Sequence, residues 1–142
     1  MSTPDPREIA RLRVAVGRLH RRLAQRTGSE LTFAQVSALV TVEKLGPIRQ
    51  GELAAREKVA APSMTRTVAG LIEAGLVEKV PDPHDGRSCH IRATPAGHAL
   101  LDQVRTERTA LLAERAARLT PEQVALLVAA LPVLEQLAEE DD

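Results

Sequence analysis

The chain has 142 residues, 44% hydrophobic and 27% charged, with 19 basic and 19 acidic side chains. This is the profile of one globular domain, and it excludes disordered and collagen-like classes. Phe33 stands alone among Phe, Tyr and Trp, so the core must be Leu, Val, Ile and Ala, which favours helices over a sheet-rich fold.

The single cysteine, Cys89, excludes an internal disulfide and a Cys-rich metal site. No stretch approaches the ~18 apolar residues of a membrane span, and the first residues lack a basic-then-apolar signal pattern. A cytoplasmic protein with no membrane partner is the expectation. Net charge is zero but unevenly spread. Residues 1–30 carry seven Arg against three acids, and residues 99–142 carry four Arg against nine. A neutral total can therefore hide a basic face.

Asp5-Pro6-Arg7-Glu8 supplies a cap, a Pro at the first helical position and a Glu three residues after the cap. Ile9, Leu12, Val16, Leu19 and Leu23 follow at helical spacing, opposite an Arg-rich face. Thr32 and Gln35 form a second capping box, opening a helix that stops at Gly46-Pro47. Gln50–Glu57 reads as a short helix and Val59-Ala60-Ala61 as a tight turn. Pro62 then takes a first helical position in a helix running to Ala74, with Gly75 as its stop. Leu76–Val80 and Ser88–Ala93 read as two strands around the turn-rich Pro81–Gly86. Thr94-Pro95 and Thr120-Pro121 open a long helix to about Leu119 and a last one to about Ala138. A kink or break is expected at Pro132. The terminal helices each carry an apolar stripe that needs a cover, and another subunit is the economical one.

Gln50–Leu71 has helix-turn-helix spacing. Leu53, Ala54, Val59, Met64, Val68 and Leu71 are expected to face inward, leaving Ser63, Thr65, Arg66 and Thr67 outward near the start of the second helix. A recognition helix reads base edges from that end, where Arg66 suits guanine while Ser63, Thr65 and the helix N-terminus suit phosphate. At the hairpin tip, Arg87 is the natural minor-groove residue, with Asp82 and Asp85 expected to brace it by ion pairing.

The run QGELAAREKVAAPSMTRTVAGLIEAGLVEKVPDPHDGRSCHIRATPAGHAL resembles the core of the MarR family of transcription regulators. Asp82, Asp85 and Arg87 match the D-x-R-D-x-R wing pattern of that family, with His84 in place of its first Arg. Thr94-Pro-Ala-Gly97 resembles the T-x-x-G that opens the long helix. Lys58 and Ala60 stand where the family commonly has a turn glycine and a capping serine.

The resemblance implies a mainly α fold with a small β-hairpin wing. A winged helix-turn-helix over about 31–97 (helix-turn-helix 50–74, wing 76–93) would be flanked by dimerisation helices over about 5–30 and 98–139. It also implies a homodimer on double-stranded DNA with a pseudo-palindromic operator, contacted through Pro62, Ser63, Thr65, Arg66, Thr67, His84, Asp85 and Arg87. Release by a small-molecule effector, with His20 near its site, is a further expectation.

Other readings are weaker on the same residues. Thiol sensors in MarR-like proteins use cysteines near the first helices, whereas Cys89 falls on a wing strand. His84, His90 and His98 match no tight metal-ligand spacing. No catalytic motif or cofactor fingerprint is present. A helical interaction dimer without DNA binding, or a thiol- or metal-responsive winged-helix repressor, are the alternatives that remain.

Overall fold

The computed structural model describes residues 2–25, 30–82 and 84–139. The elements are α1 (Pro6–Gln25), α2 (Phe33–Leu45), β1 (Ile48–Arg49), α3 (Gln50–Glu57), α4 (Ala61–Glu73), β2 (Val77–Pro81), β3 (Cys89–Ala93), α5 (Pro95–Ala116) and α6 (Pro121–Ala138). The three strands form one antiparallel sheet in the order β1-β3-β2. Ile91 pairs with Ile48 on one side and Lys79 on the other.

Helix starts follow the local chemistry. The Asp5 carboxylate accepts the Arg7 N–H at 2.8 Å, and that of Glu8 accepts the Asp5 N–H at 3.2 Å. Thr32 with Gln35 and Thr120 with Gln123 each close a reciprocal capping box. α4 ends in a Schellman motif: Gly75 is left-handed at φ 75°, and the N–H groups of Gly75 and Leu76 donate to Ile72 and Leu71.

The core lies between α2, α3, α4, the start of α5 and the sheet. Leu39, Leu53, Met64, Leu71, Ile91 and Leu101 are its largest fully buried side chains. Neither α1 nor α6 has a buried residue. Phe33 is 61% exposed, so the core contains no Phe, Tyr or Trp.

Several expectations need correction. Pro62 is the second residue of α4, because the chain turns helical already at Ala61. Val59 is 40% exposed rather than inward, since it follows the left-handed Lys58 at the rim of the turn. α6 runs through Pro132 without a break. The Val128 carbonyl there loses its helical donor, but its residue is exposed and water can take that place. α6 is also long and apolar enough to cross a membrane by length and composition, contrary to the expectation that no stretch approaches this. The two-residue strand β1 has no signature in the residue order.

Candidate nucleic-acid interface

The turn between α3 and α4 is set by Lys58 at φ 55° and ψ 44°. Its N–H and that of Val59 donate back to Ala55 and Ala54, a second Schellman closure, here built on a side-chain-bearing residue. Ala60 caps α4 with no side-chain hydrogen bond. The first N–H groups of the helix therefore stay open to an anion.

On α4, Pro62, Thr65 and Arg66 are exposed, whereas Ser63 and Thr67 are half-buried. These two line a pocket of about 190 Å³ with Phe33, Ser37, Glu57 and Val59, and so look partly toward α2. The Thr65 hydroxyl is already committed: it donates to the Ala61 carbonyl at 3.0 Å and accepts from Gln50 Nε2 at 2.9 Å. Gln50, at the start of α3, thus joins the outer surface of the helix pair. Sequence spacing places no weight on it, because its partner lies 15 residues away.

The wing is organised by Asp82, which is 6% exposed and the one buried ionisable group among the described residues. Its Oδ1 accepts the His84 N–H at 2.8 Å. Its Oδ2 accepts from Arg49 at 2.9 Å and lies 3.4 Å from His90 Nε2. The His84 N–H above all, and then Arg49, hold this carboxyl below its usual range. Asp85 accepts the Arg87 N–H at 3.0 Å and the Ser88 hydroxyl at 3.2 Å. The two aspartates therefore shape the loop backbone, and the expected ion pairs to the Arg87 guanidinium are not made. Among the described residues no carboxylate pairs with Arg87 or with Arg66. His84 serves Asp82 through its backbone, so this part of the wing pattern does not require arginine at that position.

The T-x-x-G segment ties the wing to α5. Thr94 Oγ1 accepts the Gly97 N–H at 3.1 Å and donates to the Gly75 carbonyl at 2.6 Å, while the Thr94 N–H donates to Leu76 at 3.0 Å. A Cβ at Gly97 would overlap the Leu76 carbonyl oxygen, which is why glycine stands there.

The remaining candidates are scattered. Cys89 is exposed on β3. His90 faces Asp82, whereas His98 bonds to Glu43 at 2.9 Å, with Arg105 on the other Glu43 oxygen at 2.5 Å. Chiefly through Arg105, this pair holds the Glu43 carboxyl low and ties α2 to α5. His20 packs edge-on against Phe33 at 5.3 Å, which sets it behind the pocket wall rather than in it.

Residues 31–89 match the MarR family. An uncharacterized HTH-type transcriptional regulator of Mycobacterium bovis is 37% identical over 141 residues, 99% of both chains. The chain belongs to the MarR family. As a MarR-family helix-turn-helix protein it is a transcriptional regulator and not an enzyme. The crystal structure of a transcriptional regulator from Pseudomonas aeruginosa superposes with a TM-score of 0.83 at 28% identity, covering 97% of this chain and 100% of the other. A MepR mutant from S. aureus bound to an oligodeoxyribonucleotide shares the fold, with a TM-score of 0.70 at 16% identity over 93% and 98% of the two chains.

Proposed function

We propose that this MarR-family regulator binds a pseudo-palindromic duplex as a homodimer, with α4 of each subunit in a major groove and the wing in the adjacent minor groove. One observation carries the reading. Among the described residues the guanidinium groups of Arg66 and Arg87 stand exposed and form no ion pair, while the wing acids Asp82 and Asp85 are spent on Arg49, Ser88 and backbone N–H groups. Arg66 is assigned to a base edge and Arg87 to the minor groove, with Pro62, Ser63, Thr65, Thr67, His84 and Asp85 framing them. Within this group Thr65, Ser63 and Thr67 contribute by shape and position more than as free donors.

Dimerisation through 5–30 and 98–139 is supported by exposed Ile9, Leu12, Val16 and Leu19 on α1 and Val124, Leu127, Val128 and Leu131 on α6. An apolar groove of about 470 Å³ runs among α1, α5 and α6, floored by Leu19, Leu112, Leu127 and Leu131. The same need for cover explains the apolarity of α6 without a bilayer. An effector would act by changing the separation of the two α4 helices. The cytoplasm is the compartment where such a regulator meets DNA.

The test separates two kinds of contact. Arg66→Ala should cost ~1–3 kcal/mol on the best operator and less on random duplex. Arg87→Ala should weaken all duplexes more evenly and flatten the salt slope by about one unit. Both variants should run at twice the monomer mass in light scattering. If both bind operator and random DNA as the parent does, the interaction-dimer reading replaces this one.

A further inference from the structure

The pocket of about 190 Å³ among α2, the end of α3 and the start of α4 is walled chiefly by apolar groups, buried Met64 and exposed Phe33 among them. An engineered apolar cavity of ~150 Å³ takes up benzene, so one ring-sized body fits here. Phe33 is the only Phe, Tyr or Trp of the chain, and it stands at this pocket, outside the core. His20 backs its ring edge-on at 5.3 Å.

The one charge lining the pocket is the half-buried carboxylate of Glu57. Its Oε1 accepts the Ser37 hydroxyl at 2.8 Å. Among the described residues Oε2 takes no hydrogen bond, and neither oxygen meets a cation, although Arg56 and Lys58 flank it in sequence. Glu57 is also the last residue of α3, where the helix dipole opposes a carboxylate. On the α4 wall, Ser63 and Thr67 stand one turn apart, and among the described residues their hydroxyls form no hydrogen bond.

We propose that this pocket binds a small primary ammonium compound with a compact apolar body, held by Glu57 and Phe33, and that its occupancy governs how α4 stands against α2. The second half rests on the DNA-binding reading above, because α4 is the helix assigned to the major groove. The lining selects the ligand class. An anion meets an uncompensated negative charge. A neutral ring leaves Glu57 half-buried without a counter-ion. A primary ammonium brings three donors, and the oxygens of Glu57, Ser63 and Thr67 are there to accept them. The Phe33 ring adds a cation–π contact. A ligand that prefers one placement of α4 shifts the equilibrium toward it, so amine and operator alter each other's affinity by the same factor.

Isothermal titration reads the site without DNA, with benzylammonium as the probe and benzyl alcohol and phenylacetate as its neutral and anionic counterparts. Benzylammonium should bind saturably, and the other two about tenfold or more weaker. Glu57→Gln keeps the side-chain shape and an acceptor for Ser37 but removes the charge. It should weaken benzylammonium about tenfold or more and leave benzyl alcohol unchanged. Phe33→Leu should weaken benzylammonium about two- to fivefold. No saturable binding of benzylammonium up to ~10 mM overturns the site. So does equal affinity of wild type and Glu57→Gln, or a preference for phenylacetate. Should Glu57→Gln fail to fold, unchanged affinity in Phe33→Leu overturns it.

Anisotropy on the labelled operator reads the coupling. Saturating benzylammonium, against equal ammonium chloride, should change the operator affinity of wild type and not that of Glu57→Gln. An operator affinity indifferent to the amine overturns the role in placing α4. If wild type binds the amine but no duplex, the DNA-binding reading falls and the site stands. If it binds operator but no amine, only this inference falls.

Discussion

Replacing Gly97 by alanine probes the joint between the wing and α5. Gly97 is the third residue of α5 and is buried. A Cβ there would overlap the Leu76 carbonyl oxygen and sit 3.2 Å from the Leu76 carbonyl carbon and 3.3 Å from Leu39 Cδ1. Two of these neighbours are backbone, so they cannot rotate away. The first turn of α5 must withdraw instead, stretching the Thr94 N–H bond to Leu76 at 3.0 Å and the Thr94 hydroxyl bond to Gly75 at 2.6 Å. Overpacking costs about 1–3 kcal/mol and a weakened hydrogen bond about 0.5–1.5, against a helix-propensity gain of about 1. The net loss should be about 1–3 kcal/mol, a drop of several degrees in Tm. Gly51→Ala is the matched control. It also lies in the first turn of a helix, but a Cβ meets nothing within 4 Å, so it should gain about 0.5–1 kcal/mol. Far-UV circular dichroism melts at matched protein concentration read both variants, since the chain has no Trp or Tyr to report by fluorescence. A Gly97→Ala protein as stable as its parent would refute the close-approach argument.

Three further outcomes are expected. Ala60→Ser supplies the missing cap of α4 and should stabilise the protein by about 1 kcal/mol in urea titrations; no gain would mean the N-terminus of α4 is already satisfied. The Asp82 carboxyl sits below its ordinary value, so its contribution is fully present above an unfolded-chain pKa of about 3.9 and is lost as pH falls through the lower folded value. Asp82→Asn should accordingly show a shallower acid limb than the parent in melts across this window, and parallel limbs would contradict the wing geometry. Cys89→Ser should keep DNA binding, with peroxide releasing wild type no more than the variant; selective release of the wild type would reveal a thiol switch on the wing.

Most helix starts and the helix-turn-helix segment are legible in the residue order, because capping acts within three or four residues. Thr32 finds Gln35, Thr120 finds Gln123 and Asp5 finds Arg7 in any chain that begins a helix there. α3 occupies the expected Gln50–Glu57, and the hairpin strands shift by a single residue. The glycine of the T-x-x-G segment is visible as a letter, but its reason is not, since the overlapping carbonyl belongs to Leu76 across the joint.

What only tertiary structure decided are the partnerships across long stretches of chain. Two residues, Ile48 and Arg49, become a strand because Ile91 and His90 present an edge to them. That pairing brings Arg49 to Asp82, 33 positions away, and so diverts the acid from Arg87, toward which local spacing points. Gln50 reaches Thr65 for the same reason, and the packing of α4 beside α2 leaves Ser63 and Thr67 half-buried along the pocket they share with Phe33 and Ser37. Local order in the sequence determines where helices begin and which face is apolar. Which carboxylate meets which cation depends on packing, because each charge takes the partner that the folded backbone brings within reach.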